Sequence, residues 1–136
     1  MHARVMRSDF RRLTPIREPR ALSEVPQRVW EPGEWERIQR GFRARAMEDR
    51  WHIFAEGDRL FLHRSWRGDG RYEATFVEAQ GGHQISRVLV EDAEPRFPGG
   101  SDHEVCLLLE ILINSILLGE QTEEQRRRLS DLRSAG

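Results

Sequence analysis

The chain has 136 residues, enough for one domain with a buried core, and its 22 basic side chains nearly cancel its 23 acidic ones. That balance excludes a general attraction to nucleic acid or other polyanions. No apolar run reaches membrane length, and the first residues carry charge where a leader peptide needs an apolar core, so a cytoplasmic protein with no membrane association is expected.

The basic residues are all arginine, which points to biased genomic composition. Their distribution is uneven: residues 1–50 hold 12 Arg against 8 acidic residues, and residues 51–136 hold 10 against 15. The first segment should therefore pack on the acidic remainder or reach a separate partner. Residues 1–29 contain Pro15, Pro19 and Pro26 with little apolar periodicity, which predicts an extended or disordered arm anchored by Leu13, Ile16, Leu22 and Val29. A single α+β domain is expected over residues 30–136.

Pro32 suits a first helical turn, and Trp35, Ile38 and Phe42 at spacings of three and four predict a short amphipathic helix ending near Gly41. Beyond it, Trp51–Ala55 and Leu60–Trp66 flank a Gly57-Asp58 turn, the pattern of a tight hairpin. This register sets Trp51 opposite Arg64, His52 opposite His63, Ile53 opposite Leu62 and Phe54 opposite Phe61. Period-two alternation then gives a core face of Trp51, Ile53, Ala55, Leu60 and Leu62, with Arg64 and Trp66 at its end. The other face carries His52, Phe54, Phe61 and His63, too apolar to stand bare, so a helix, another chain or a ligand should cover it.

Arg64 is the exceptional member of the core face, because a guanidinium cannot be buried cheaply without partners. It either pairs with Glu48 or Asp49, locking the hairpin to the preceding segment, or joins Arg50 and Trp66 in an anion and aromatic site for a nucleotide or phosphate. The candidate ligand-binding residues are Asp49, Arg50, His63, Arg64 and Trp66. Asp49, Arg50, His52, His63 and Arg64 also form the one set able to do acid–base work. His52 and His63 alone make an incomplete metal site, and no Walker loop or dinucleotide fingerprint occurs, so neither metal nor cofactor is expected.

Arg67-Gly68-Asp69-Gly70-Arg71 is read as a hairpin turn, with phosphate cradling by Gly68 and Gly70 as the alternative. Tyr72–Val77 and Gln84–Val90, joined through Gly81-Gly82, complete a four-stranded antiparallel meander. A loop follows over residues 91–100. Ser101 and Glu104 form a capping box opening a long apolar helix to about Leu118, whose polar stripe is Glu110 and Asn114 alone. Cys106, the one cysteine, suits a small buried hydrophobe within it. One side of this helix should meet the sheet; the other should meet the first helix, the last helix or a second subunit in a homodimer. Thr122 and Gln125 cap a final polar helix toward Leu132, with Arg126, Arg127 and Arg128 as a solvated face. The expected fold is thus α+β, a four-stranded antiparallel meander packed with a long apolar C-terminal helix and shorter flanking helices.

The stretch MEDRWHIF, followed by LFLHRSW, resembles a small uncharacterised bacterial domain found alone or attached to ADP-ribosylglycohydrolase and macrodomain-type proteins. The family pattern runs approximately Met-Asp-Asp-Lys-Trp, a hairpin, then His-Arg-Ser-Trp-Thr-Gly, and the resemblance covers about Trp35 to Leu118. Glu48 and Arg50 depart from the first motif, and Arg67 stands where threonine is expected. No catalytic residue is carried over. The resemblance implies a connection with ADP-ribose or NAD metabolism. With no activated nucleophile in the chain, the first reading is a non-catalytic recognition module in such a pathway; the alternatives are an enzyme on a nucleotide or ADP-ribosyl substrate using Asp49 and His63, and an antitoxin- or immunity-type domain that binds a protein partner through its apolar helix.

Overall fold

The central hairpin forms in the expected register: β3 (Trp51–Glu56) pairs antiparallel with β4 (Arg59–Arg64), and all six residue pairs match from Trp51 opposite Arg64 to Glu56 opposite Arg59. The computed structural model describes residues 3–93 and 100–135, so most of the loop expected over residues 91–100 lies outside the described residues. β5 (Gly70–Ala79) and β6 (Gly82–Glu91) continue the antiparallel meander.

The sheet is wider than the expected four strands. Two short strands preceding the meander, β1 (Pro19–Ala21) and β2 (Val29–Trp30), both pair antiparallel with β6, making six strands in the order β1-β6-β5-β4-β3 with β2 also on β6. The N-terminal segment is extended, as its prolines require, but hydrogen bonded into the fold. Its link to the acidic remainder is direct. Arg7 Nε and Nη2 each reach a Glu56 oxygen at 2.9 Å. Arg20 bonds Asp92 at 3.1 Å and Asp102 at 3.0 Å, and Arg28 bonds Glu120 at 2.8 Å. The Glu91 carboxylate accepts the amides of Arg17 and Glu18 at 2.8 and 2.9 Å. Burial opposes its charge, yet these amides and that of Ala93 hold its carboxyl below the usual range.

One sheet face and the helices share the main core. Ile53, Leu60, Leu62, Ala74, Phe76 and Val88 are buried against Trp30, Ile38, Leu109, Leu112 and Ile113. α1 (Pro32–Arg40) starts at its proline, as expected, and ends before Gly41, which takes a positive φ of 74°.

The apolar helix is neither uniformly α-helical nor C-terminal. α2 (Asp102–Leu112) opens with Ser101 accepting the Glu104 amide at 3.2 Å, then passes into a π-helical turn over Ile113–Leu117. In that turn the Ser115 hydroxyl donates to the Ile111 carbonyl at 2.7 Å, a back-bond that loosens the regular ladder. Asn114, from the expected polar stripe, is buried and accepts the Trp30 indole N–H at 3.1 Å. α3 (Glu123–Ala135) covers the helix face turned away from the sheet: Leu129 closes on Leu107 and Ile111, with Leu132 beside them. That cover comes from the same chain, where a second subunit had been one candidate. Burial raises the Cys106 thiol to about 11.

The opposite sheet face is covered by the N-terminal arm. Phe10 packs on His52 and Phe54 with ring centroids 4.3 and 5.9 Å apart. The Arg7 guanidinium lies 4.9 Å from the Phe54 ring centroid and 5.0 Å from that of Phe61.

Candidate functional site

Strand alternation and the open end of the core together make a cleft. Trp51 of β3, Arg64 of β4 and Tyr72 of β5 line it from the core face of the sheet. Leu108, Leu112 and Ile116 face them from α2 and its π-helical turn, and Arg126 and Arg133 from α3. Phe42 and the Glu48–Arg50 segment close one side. The cleft measures about 530 Å³, within the usual range for small-molecule sites.

Its aromatic wall is ordered by packing. The Trp51 and Tyr72 rings lie 5.6 Å apart at 30°, and the Arg64 guanidinium sits 5.1 Å from the Trp51 ring centroid. Burial raises the Tyr72 hydroxyl to about 12. Arg64 is pushed below the usual guanidinium value, first by burial and then by the neighbouring Arg50 charge, with Asp69 acting in the opposite direction.

The loop before β3 is tied to the loop after β4. The Ser65 hydroxyl donates to the Asp49 carbonyl at 2.7 Å, and the Ser65 amide donates to the Arg50 carbonyl at 2.9 Å. The Asp49 carboxylate accepts the Arg45 and Ala46 amides at 3.1 and 3.3 Å, so it shapes its own loop while lining the cleft.

Of the five residues singled out from sequence, the structure brings Asp49, Arg50 and Arg64 to this cleft. His63 points to the opposite sheet face, where it is buried and its Nδ1 donates to the Gly68 carbonyl at 2.8 Å. Burial lowers its pKa, outweighing that hydrogen bond. Asp49 and His63 therefore do not converge, and an acid–base pair built from them has no common site. Trp66 lies beyond the end of β4, so strand alternation no longer directs it; it is 72% exposed and does not line the cleft. His52 accepts the Ala44 amide at 3.1 Å through Nδ1. No group of three or more potential metal ligands occurs among the described residues.

Gly68 and Gly70 hold the chain's own backbone rather than a phosphate. Thr14 donates its amide to the Gly68 carbonyl at 2.9 Å and accepts the Gly70 amide at 2.8 Å. A side chain at Gly68, whose φ is 75°, would run into the Arg12 carbonyl.

Arg126 and Arg133 were not singled out as cleft residues; Arg126 is exposed with Arg127 and Arg128, as the solvated-face reading expected, and also borders the cleft. Their signal was available: positions 126, 129, 130 and 133 recur on one helical face, and Leu129 marks that face as the one turned toward α2. Among the described residues no helix is long and apolar enough to cross a membrane. Comparison with protein-family models, curated proteins and solved structures finds no match.

Proposed function

We propose that the chain is a non-catalytic recognition module for a nucleotide-type ligand of the ADP-ribose or NAD class. The observation that carries this reading is the Arg50–Arg64 pair beside the Trp51–Tyr72 wall of the cleft. Arginine offers an oxyanion a planar fork of donors, and Trp51 holds the Arg64 fork in place by packing under it. Four arginines line the cleft against two acids, Glu48 and Asp49, so an anion is the favoured guest. The separation of Asp49 from His63 supports recognition over acid–base catalysis.

The test is thermal stability with and without ADP-ribose, NAD and ADP. A ligand at a hundred times its dissociation constant adds about 2.7 kcal/mol of stability. For a domain of this size that is a rise of about 10 °C in Tm. Arg64→Gln should keep the fold and lose the shift. An unchanged Tm with every nucleotide, or a full shift in Arg64→Gln, rejects the reading.

A second reading, docking of a protein partner in the manner of an antitoxin or immunity domain, is favoured by Met47 and Trp66. They are 70% and 72% exposed on the two loops that Ser65 ties together. Loss of partner capture in Trp66→Ser, with no nucleotide response in the parent protein, would favour it.

A further inference from the structure

The N-terminal arm closes over the sheet face opposite the helices, and two of the residues beneath it are titratable. His52 and His63 stand opposite each other on β3 and β4. Phe10 packs on the His52 ring, and residues 12–16 lie against Gly68 and Gly70, beside His63. The Gly68 carbonyl accepts both the His63 Nδ1–H at 2.8 Å and the Thr14 amide at 2.9 Å, so the histidine and the arm are fastened to one atom.

The surroundings of both rings fit their neutral forms. His52 Nδ1 accepts the Ala44 amide, and a proton on that nitrogen would set two donors facing each other. His63 is 2% exposed, so its charged form loses most of its hydration. Burial is the main opponent of charge on both rings. Arg43, from the segment before β3, adds to it at His52; Arg7, from the arm, adds to it at His63, where the Gly68 carbonyl, Asp69 and Glu73 of β5 act the other way. A charged His63 therefore repels the arm's own cation, which lies over Phe54 and Phe61 and pairs with Glu56.

The arm is attached differently along its length. Arg17 and Glu18 give their amides to the Glu91 carboxylate, which stays ionised in weak acid, and β1 follows on β6. Upstream, the Arg7–Glu56 pair is half-exposed and holds little by itself. Among the described residues the main core takes no side chain from before Leu22, so residues 5–14 can leave without opening it.

We propose that residues 5–14 form an acid-released latch: protonation of His52 and His63 frees this stretch, hinged before Arg17, and bares Phe54 and Phe61 while the six-stranded sheet stays folded. The device does not depend on what the cleft binds. Above the ordinary histidine value of about 6.5 the latch is shut. Below it the open form takes up protons first, and each histidine favours opening by up to about tenfold one pH unit lower.

Amide exchange of the full chain at about pH 7.5 and about pH 5.5, corrected for the intrinsic rate at each pH, tests it. Protection at Val5, Thr14 and Gly70, whose amides bond the Arg40, Gly68 and Thr14 carbonyls, should fall by about tenfold or more in acid. Protection at Leu22, whose amide bonds the Val88 carbonyl, should not. His52→Gln, at a half-buried position, should reduce the fall; His63→Gln serves as the second variant, and thermal melts verify that each folds. Unchanged arm protection in acid overturns the proposal. So does a parallel loss at Leu22, which marks unfolding of the whole domain, and so does an undiminished fall in both variants.

Discussion

Asn114→Ala should be among the most damaging single changes in this chain, and the reason lies in its partner. Asn114 is 1% exposed in the π-helical turn, and its Oδ1 accepts the indole N–H of Trp30, itself fully buried in β2. Alanine leaves that N–H without an acceptor in the core, which costs about 1 to 3 kcal/mol. The lost side-chain volume adds about 1 kcal/mol more where the core does not collapse. The expected total is roughly 2 to 4 kcal/mol, a fall of about 8 to 16 °C in Tm for a domain of this length. A double-mutant cycle with Trp30→Phe isolates the polar part, because phenylalanine has no N–H to strand. In that background the cost of Asn114→Ala should shrink by about 1 to 3 kcal/mol. Urea unfolding of the four proteins measures it. Additivity within about 0.5 kcal/mol would refute the argument that the hydrogen bond joins β2 to the apolar helix.

Gly68→Ala forces a left-handed backbone on a residue with a side chain and directs its Cβ at the Arg12 carbonyl, so it should cost about 1 to 3 kcal/mol and loosen the arm. Amide exchange at Thr14 and Gly70 reads the loosening, and parental exchange rates there would contradict it. His63 and His52 both have pKa values lowered first by burial, so the unfolded chain binds more protons just below the ordinary histidine value of about 6.5. Their contribution is intact above that value and declines as pH falls toward their folded pKa values. The two histidines should therefore lower Tm between about pH 7 and pH 5, against the opposing effect of Glu110, whose carboxyl burial raises, and His63→Gln should reduce that acid-side loss. An acid-side loss as large in His63→Gln would contradict the burial of His63.

The hairpin was legible because a two-residue turn and period-two alternation leave one consistent register, and Arg64 could be placed at the end of the core face from that register alone. The same alternation, correctly applied, already put His63 on the other face from Arg64; grouping them as one site followed their adjacency in sequence rather than their geometry. Trp66 was misplaced because the pattern was extended two residues past the end of β4. β1 and β2 escaped notice for a different reason. Strands of three and two residues around prolines carry no periodicity of their own, and it is the β6 backbone that makes them strands. Charge was the better guide there: the excess of arginine in the first fifty residues does meet the acids that follow, at Glu56, Asp92, Asp102 and Glu120. The width of the sheet is a product of tertiary pairing, which local pattern does not encode.

The short strands on β6 have a consequence for the behaviour of the molecule in concentrated solution. β6 is ten residues long and borders the meander, and an uncovered border of that length is a template on which identical chains can add, strand to strand. β1 and β2 occupy two stretches of it with backbone that stops after a few residues, and Pro19 within β1 has no amide to offer a further neighbour. The segment thus covers part of a strand edge on which other chains could otherwise add, while Trp30 of β2 contributes to the core.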